Sequence, residues 1–292
     1  MTRRDLAKIA WRPDRETRYP YGPVSPDPEG FEPLGFPPPW PTRPWIYANV
    51  IASKNGILTW TRTGATDDPV GAVAGGDVTR SGRFADLRLM RYLRACADAV
   101  SVGAQTLRDQ PDLVGTFEDV GGGLGEALRR WRASHSRPRV PLQVVYSQSG
   151  RLDLAVPMFN TPELTAIVVT AEPGARRLRA GGSDDRRLTI IVAGEERVGP
   201  TELVRAHERL SEEFGVRYLD CEGGAVTLDS LRRAGIMDEV FVTVTDVHID
   251  ASAHAGVKRV FSFEKEGARL IAEGRVASDA GYVFRRWRFN ER

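Results

Sequence analysis

Residues Tyr218 to Leu228 read Tyr-Leu-Asp-Cys-Glu-Gly-Gly-Ala-Val-Thr-Leu, an apolar run that breaks at an acid and two glycines before apolar residues resume. Such a segment is a strand entering a helix through a turn in which backbone, not side chain, faces a ligand, and it commits the chain to strand–turn–helix construction. Two adjacent residues without Cβ let main-chain N–H groups approach a phosphate, and the N-terminus of the next helix adds a favourable dipole. Glu222 complicates this, because a carboxylate beside a pyrophosphate is repelled. If the glycines hold phosphate, Glu222 points elsewhere, at a polar substrate. The same three residues also suit a plain helix-capping turn.

From Pro44 onward strand and helix signals alternate, which predicts an α/β domain with a mostly parallel central sheet flanked by helices. Strands are expected at 46–52, 99–102, 142–146, 166–170, 188–192, 216–219 and 238–245. Helices are expected at 84–95, at 201–214 with Thr201 as cap, and at 227–234. Segments 268–277 and 282–289 alternate around Ser278 to Gly281 and predict a closing antiparallel hairpin. The first 44 residues stand apart, since eleven of them are proline. That density excludes regular helix and central strand. Trp11, Tyr19, Tyr21, Phe31, Phe36 and Trp40 are too many aromatics for a solvated linker, so residues 1–44 are expected to form an extended arm packed on the body or on a partner subunit, with 45–292 as the main domain.

Charge and cysteine content narrow the function classes. Lys+Arg 41 against Asp+Glu 39 leaves a net charge of +2, with no global field to favour nucleic acid or an acidic membrane. Cys96 and Cys221 are the only cysteines, which suits a reducing compartment. The start lacks the apolar core of a signal peptide, no stretch approaches 18 uncharged apolar residues, and a cytoplasmic protein is expected. His248, Asp250 and His254 lack a fourth ligand at metal spacing and read as edge-loop residues. Gly121 to Gly125 follows no strand and reads as a flexible loop.

Two further segments place polar groups beside small backbone. Val102 to Pro111 runs from a strand into Gly103-Ala104 and then sets Thr106 and Asp109 about a helical turn apart, at the strand edge where open α/β sheets bind ligands. Capping of a short helix is the structural alternative. Ala52 to Gly56 contains Asn55-Gly56, a strong turn signal in its own right.

Taken in order, these segments resemble the reductase domain of the bifunctional deaminase-reductase of riboflavin biosynthesis, a fold of the dihydrofolate reductase type. The resemblance rests on Ser53-Lys54-Asn55-Gly56, Leu93-Arg94-Ala95, Ala97-Asp98-Ala99-Val100, Val102 to Pro111, Glu222-Gly223-Gly224 and Gly235-Ile236-Met237-Asp238-Glu239, and it covers roughly residues 44 to 290. It implies an NADPH-dependent hydride transfer to a small pyrimidine- or pterin-like heterocycle, in a homodimer. Gly103, Ala104, Thr106, Asp109, Ser147 and the run Gly223, Gly224, Ala225, Val226 and Thr227 would contact the dinucleotide. Asn55, Arg94 and Glu222 would face substrate, Arg94 towards a phosphate and Glu222 towards a heterocycle amine, with Glu222 as the catalytic candidate. Arg176, Arg177 and Arg179 are candidates for the 2′-phosphate.

The chain also departs from the family pattern. Asn55-Gly56-Ile57 lacks the usual carboxylate and lysine, and Asp112 to Thr116 lacks the usual arginine. Arg62, Arg80, Arg83 or Arg91 could take their place. Residues 59–83 form a longer segment than usual, either a lid or a distorted loop. The deaminase half requires a His-x-Glu and a Pro-Cys-x-x-Cys zinc set, which do not occur here, so deamination is excluded. The alternatives are a dihydrofolate or dihydropterin reductase, and a catalytically lapsed nucleotide-binding relative that serves as an interaction protein.

Overall fold

The computed structural model describes residues 9–13, 35–64, 66–117, 123–182 and 188–289. The strands are β1 (Ile9–Pro13), β2 (Trp45–Ala52), β3 (Ile57–Thr59), β4 (Ala99–Gly103), β5 (Leu142–Tyr146), β6 (Ala166–Ala171), β7 (Leu188–Gly194), β8 (Tyr218–Cys221), β9 (Glu239–Thr245), β10 (Lys258–Arg259), β11 (Arg269–Val276) and β12 (Asp279–Arg288). The helices are α1 (Pro69–Val73), α2 (Ser81–Cys96), α3 (Ala104–Asp109), α4 (Leu124–Ser134), α5 (Pro157–Asn160), α6 (Glu172–Ala180), α7 (Pro200–Phe214) and α8 (Ala225–Arg233). Ten strands form one sheet in the order β1-β11-β12-β9-β2-β8-β4-β5-β6-β7, while β3 and β10 pair separately. Every pairing from β9 to β7 is parallel, and β1, β11 and β12 add an antiparallel flank. This is the mostly parallel α/β sheet with a C-terminal hairpin that the alternating signals imply.

Both faces of the sheet are covered, so its central strands lack polar alternation. On β2, Tyr47 joins the core beneath α2 and α4 with Tyr92, Leu93 and Phe241. Its neighbours Ile46 and Ala48 join the opposite core with Leu203 and Leu210 of α7 and Leu228 of α8. The parallel strands point their carboxyl ends the same way, and their loops share one edge.

The opposite edge is fastened by buried charge. Asp238, just before β9, accepts from Arg43 Nη1 at 2.7 Å, Trp40 Nε1 at 2.8 Å and the Ile46 amide at 2.8 Å. Glu239 next to it accepts from Arg286 Nε at 2.8 Å and Arg288 Nε at 2.7 Å. Phe36 stacks on Tyr47 at 4.5 Å, which lays residues 35–44 against the body. Ile9–Pro13 forms the sheet's edge strand against β11, a position that tolerates the proline at its end. Tyr19, Tyr21 and Phe31 lie outside the described residues.

Three local expectations need correction. Helix α7 begins earlier than Thr201: Gly199 is its cap, Pro200 its first residue, and the Glu202 carboxylate accepts from the Gly199 amide at 3.1 Å. The hairpin turn is tighter than Ser278 to Gly281, because Val276 already pairs with Asp279. Leu124 and Gly125 belong to α4, whose buried Leu124 and Leu128 supply a helical stripe, whereas Gly121 and Gly122 lie outside the described residues.

One polar pair, the buried His207 and the partly buried Tyr146, lies between α7 and β5. His207 Nδ1 contacts the Leu203 carbonyl at 2.7 Å, so Nδ1 carries the proton and Nε2 accepts from the Tyr146 hydroxyl at 2.8 Å. Burial pulls the His207 pKa down to about 4. A base with a depressed folded pKa takes up its proton more readily when unfolded, so its contribution is complete above pH ~6.5 and is lost as pH falls towards 4. Urea denaturation should show about 3 kcal/mol less stability at the acid end of this window, and His207→Gln should flatten that slope.

Candidate functional site

The carboxyl edge brings two turns into contact. The β4–α3 turn contains Gly103 and Ala104, and the β8–α8 turn contains Glu222, Gly223 and Gly224. The Glu222 amide donates to Ser101 O at 2.9 Å, extending the β4–β8 pairing into the turn. Thr106 Oγ1 then accepts from the Gly224 amide at 3.2 Å and ties the two turns together. The glycines are required by contact. A Cβ on Gly223 would lie 2.6 Å from Thr227 Cβ, and one on Gly103 would lie 2.7 Å from Thr227 Oγ1. Thr227 thus fills the space that both glycines vacate. By helix geometry the first amides of α8, those of Ala225 and Val226, point out of its N-terminus towards this edge. The Val226 side chain itself is 70% exposed.

Glu222 turns away from this surface. Arg94, at the end of α2, donates Nε to Glu222 Oε1 at 2.6 Å and Nη2 to Oε2, a bidentate pair in which the side chains are 3% and 9% exposed. Arg94 Nη1 also donates to the carbonyls of Thr116 at 2.9 Å and Val114 at 3.3 Å. The guanidinium expected to face a phosphate therefore has its donors turned onto Glu222 and the 114–116 backbone. Burial works to lower the Arg94 pKa, but the Glu222 carboxylate outweighs it and holds the group above its ordinary value.

The remaining candidates are spread along the same edge. Asn55 sits in the β2–β3 turn, where its Oδ1 accepts from Ser53 Oγ at 2.8 Å and from the Ile249 amide at 3.2 Å, and its Nδ2 donates to Ile249 O at 2.8 Å. The amide that stands at the expected carboxylate position thus staples two loops. Ser147 is buried and its Oγ accepts from the Gly150 amide at 3.1 Å, closing the turn after β5. Asp109 Oδ1 accepts from Gln105 Nε2 at 2.9 Å, and its carbonyl accepts from Arg62 Nη1 at 2.7 Å. Arg62, Thr63, Gly64, Arg108, Asp109 and Pro111 line an open cleft of about 590 Å³.

Segment 59–83 folds over this edge. Trp60 is buried and stacks on His254 at 4.0 Å. The Asp68 carboxylate caps α1, and Arg80 pairs with Asp246 at 2.9 Å and Asp279 at 2.8 Å. Among the arginines that might replace the missing cations, Arg83 pairs with Asp86 at 2.7 Å and Arg91 donates to Thr116 O at 3.0 Å. Arg177 of α6 donates to Ser149 O, and Arg176 and Arg179 stand 3.5 and 3.9 Å from Glu172. No group of His, Cys, Asp or Glu among the described residues could hold a metal ion.

One residue at the site escapes motif reading. Asp220 lies inside β8, fully buried two residues before Glu222, and neither carboxyl oxygen has a hydrogen-bond partner. Burial, followed by the Glu222 charge, raises its pKa well above the usual carboxylate range against the opposing pull of Arg94. An acid inside a four-residue buried strand was the available signal.

The sequence pattern of the RibD C-terminal domain matches residues 44–249, which contain every candidate above. The chain belongs to the RibD C-terminal domain family. A search of curated protein sequences gives no match. Three solved structures share the fold. Acinetobacter baumannii RibD is 18% identical with a TM-score of 0.58, over 86% of this chain and 59% of that one. A pyrimidine reductase-like protein from Corynebacterium diphtheriae is 21% identical with a TM-score of 0.57, over 86% of this chain and 94% of that one. The diaminohydroxyphosphoribosylaminopyrimidine deaminase/5-amino-6-(5-phosphoribosylamino)uracil reductase of Thermotoga maritima is 14% identical with a TM-score of 0.54, over 85% of this chain and 57% of that one. The chain therefore spans somewhat more than half the length of the Acinetobacter and Thermotoga proteins. No helix among the described residues is long and apolar enough to cross a membrane.

The Arg94–Glu222 pair gives a direct test of the site's construction. Arg94→Ala strands a buried carboxylate and should cost about 3–5 kcal/mol in urea denaturation. Glu222→Gln keeps one hydrogen-bonding oxygen and should cost less.

Proposed function

We propose that the chain is an NADPH-dependent reductase that transfers hydride to a pyrimidine- or pterin-like heterocycle. The observation that carries this reading is the junction of the two glycine turns through Thr106 and Gly224, with Thr227 packed against both Gly103 and Gly223. That junction is a backbone cradle at the carboxyl edge of a parallel sheet, where dinucleotides bind, and it ends at a helix N-terminus suited to a pyrophosphate. Gly103, Ala104, Thr106 and Gly223 to Thr227 would hold the dinucleotide, with Asp109 and Ser147 farther along the same edge. NADPH supplies the hydride when bound. The protein's part is to orient the acceptor and exclude water, which needs no protein nucleophile.

Glu222 is the substrate-facing acid in this reading. Its two oxygens meet Arg94, which fixes its direction, and an amine-bearing ring would share that carboxylate with the guanidinium. Arg177 lies on the Ser149 carbonyl beside the β5 turn and is the candidate for contact with the 2′-phosphate. We further propose a homodimer as the working form. A second reading, a lapsed relative that binds nucleotide without turnover, is favoured by one observation: Asn55 spends its amide on the Ile249 backbone where the family pattern has a carboxylate.

Titration with NADPH and NADH, followed by turnover on pyrimidine, dihydropterin and dihydrofolate substrates, separates these readings. Binding with turnover is the expected result, binding alone would favour the lapsed relative, and the absence of NADPH binding would sink both. Gly223→Ala should force Thr227 out of place and weaken NADPH at least tenfold, about 1.4 kcal/mol. Arg177→Ala should weaken NADPH while leaving NADH unchanged, as measured by fluorescence titration of both.

A further inference from the structure

Asp220 is the one acid at the site for which the geometry so far gives no role. Its strand lies between β2 and β4, and residues opposite it are Tyr47 and Val100. Alternation along β8 puts Asp220 on the same face as Glu222 and Tyr218, beneath α2. That face carries a single bidentate cation for the two acids, Arg94, and Glu222 takes two of its donors directly. The third donor group goes to the carbonyls of residues 114 and 116.

We propose that Asp220 is a positioning residue that stays protonated and uncharged, so that Arg94 is held wholly by Glu222. An ionised Asp220 would be a buried anion with no donor on either oxygen and a second claim on the same guanidinium. The surrounding groups offer no alternative partner. Tyr47 on β2 donates its hydroxyl to Leu93 O at 2.7 Å. Arg132 and Arg137, at the same C-terminal end of α2 as Arg94, bind the carbonyls of Ala95, Ala97 and Cys96, and Arg137 also bonds Asp98; Arg132 Nη2 has no acceptor, and neither guanidinium bonds Asp220. Cys96 on α2 and Cys221 on β8 are buried thiols whose pKa values are raised by burial, Cys221 to about 12, so neither supplies a charge. Val100 on β4 is apolar. The raised pKa of Asp220 agrees with this arrangement.

A buried acid with a raised folded pKa contributes most below its unfolded value and loses that contribution as pH rises through the folded one. The neutral isostere Asp220→Asn should therefore melt close to the wild type near pH ~4 and increasingly above it as pH rises. Infrared spectroscopy of the full chain tests the idea without any cofactor. At neutral pH the wild type should show the carbonyl stretch of a protonated carboxyl, and Asp220→Asn should lose it. In Glu222→Gln, Arg94 is released to the remaining acid, and the same band should vanish at neutral pH and return only in acid. A purely structural Asp220 would not respond to Glu222. Asp86 on α2 is a second buried acid whose pKa burial raises, and the same spectra of Asp86→Asn separate its band from that of Asp220. Absence of the Asp220 band in the wild type, or its persistence unchanged in Glu222→Gln, would overturn the proposal. The role rests on the proposed substrate-facing Glu222, yet failure of NADPH to bind would remove the reductase reading and leave these spectra to decide Asp220 on their own.

Discussion

The site depends on one buried ion pair. Arg94 and Glu222 come from elements far apart in sequence, the end of α2 and the end of β8, and they meet where water is excluded. A buried pair repays its desolvation only with good geometry and further hydrogen bonds. Both are present, since the contact is bidentate and the spare Nη1 is used by the carbonyls of Val114 and Thr116. The 110–117 loop is thereby drawn onto the helix end, and Arg91 from the same helix holds Thr116 as well. The pair consequently sets three things: the direction of Glu222, the course of the loop after α3, and the register between α2 and the sheet edge.

Charge is distributed unequally between the two ends of the sheet. At the amino end of β9, Asp238 and Glu239 are fully buried, but each is met by two or more donors from Trp40, Arg43, Arg286 and Arg288. These contacts fasten residues 35–44 and the C-terminal strand in place and leave that end closed. At the carboxyl end, by contrast, acids outnumber well-placed cations, because Arg94 serves Glu222 while Asp220 has no donor. At the amino edge Asp238 and Glu239 are each answered by arginines, whereas Asp220, towards the carboxyl edge, has no donor on either oxygen.

The legible part of the fold was the part dictated locally. Strands such as Leu142–Tyr146 and the glycine turn after β8 follow from apolar runs and residues without Cβ, and their order alone implied the parallel sheet. What pattern reading missed depends on contacts between distant segments. Thr201 satisfies the rule for a cap, yet Gly199 won the position because Glu202 reaches back to its amide. Arg94 reads as a phosphate-binding arginine from its motif, and only the meeting of α2 with β8 shows its donors spent on Glu222. Asn55 reads as a ligand contact or a turn, and the approach of Ile249 decides how its amide is used.

The segment after β3 is anchored at both ends and carries arginines to the carboxyl edge of the sheet. Trp60 anchors the segment against His254, and the pairing of Arg80 with Asp246 and Asp279 fixes its far end to β12. Between these anchors, Arg62 crosses to the Asp109 carbonyl and lines a cleft with Arg108 at the end of α3. Arg62 and Arg108 thus place positive charge at this edge. Trp60 on His254 at one end and Arg80 on Asp246 and Asp279 at the other fix the course of this segment, and between them Arg62 is held beside the Asp109 carbonyl.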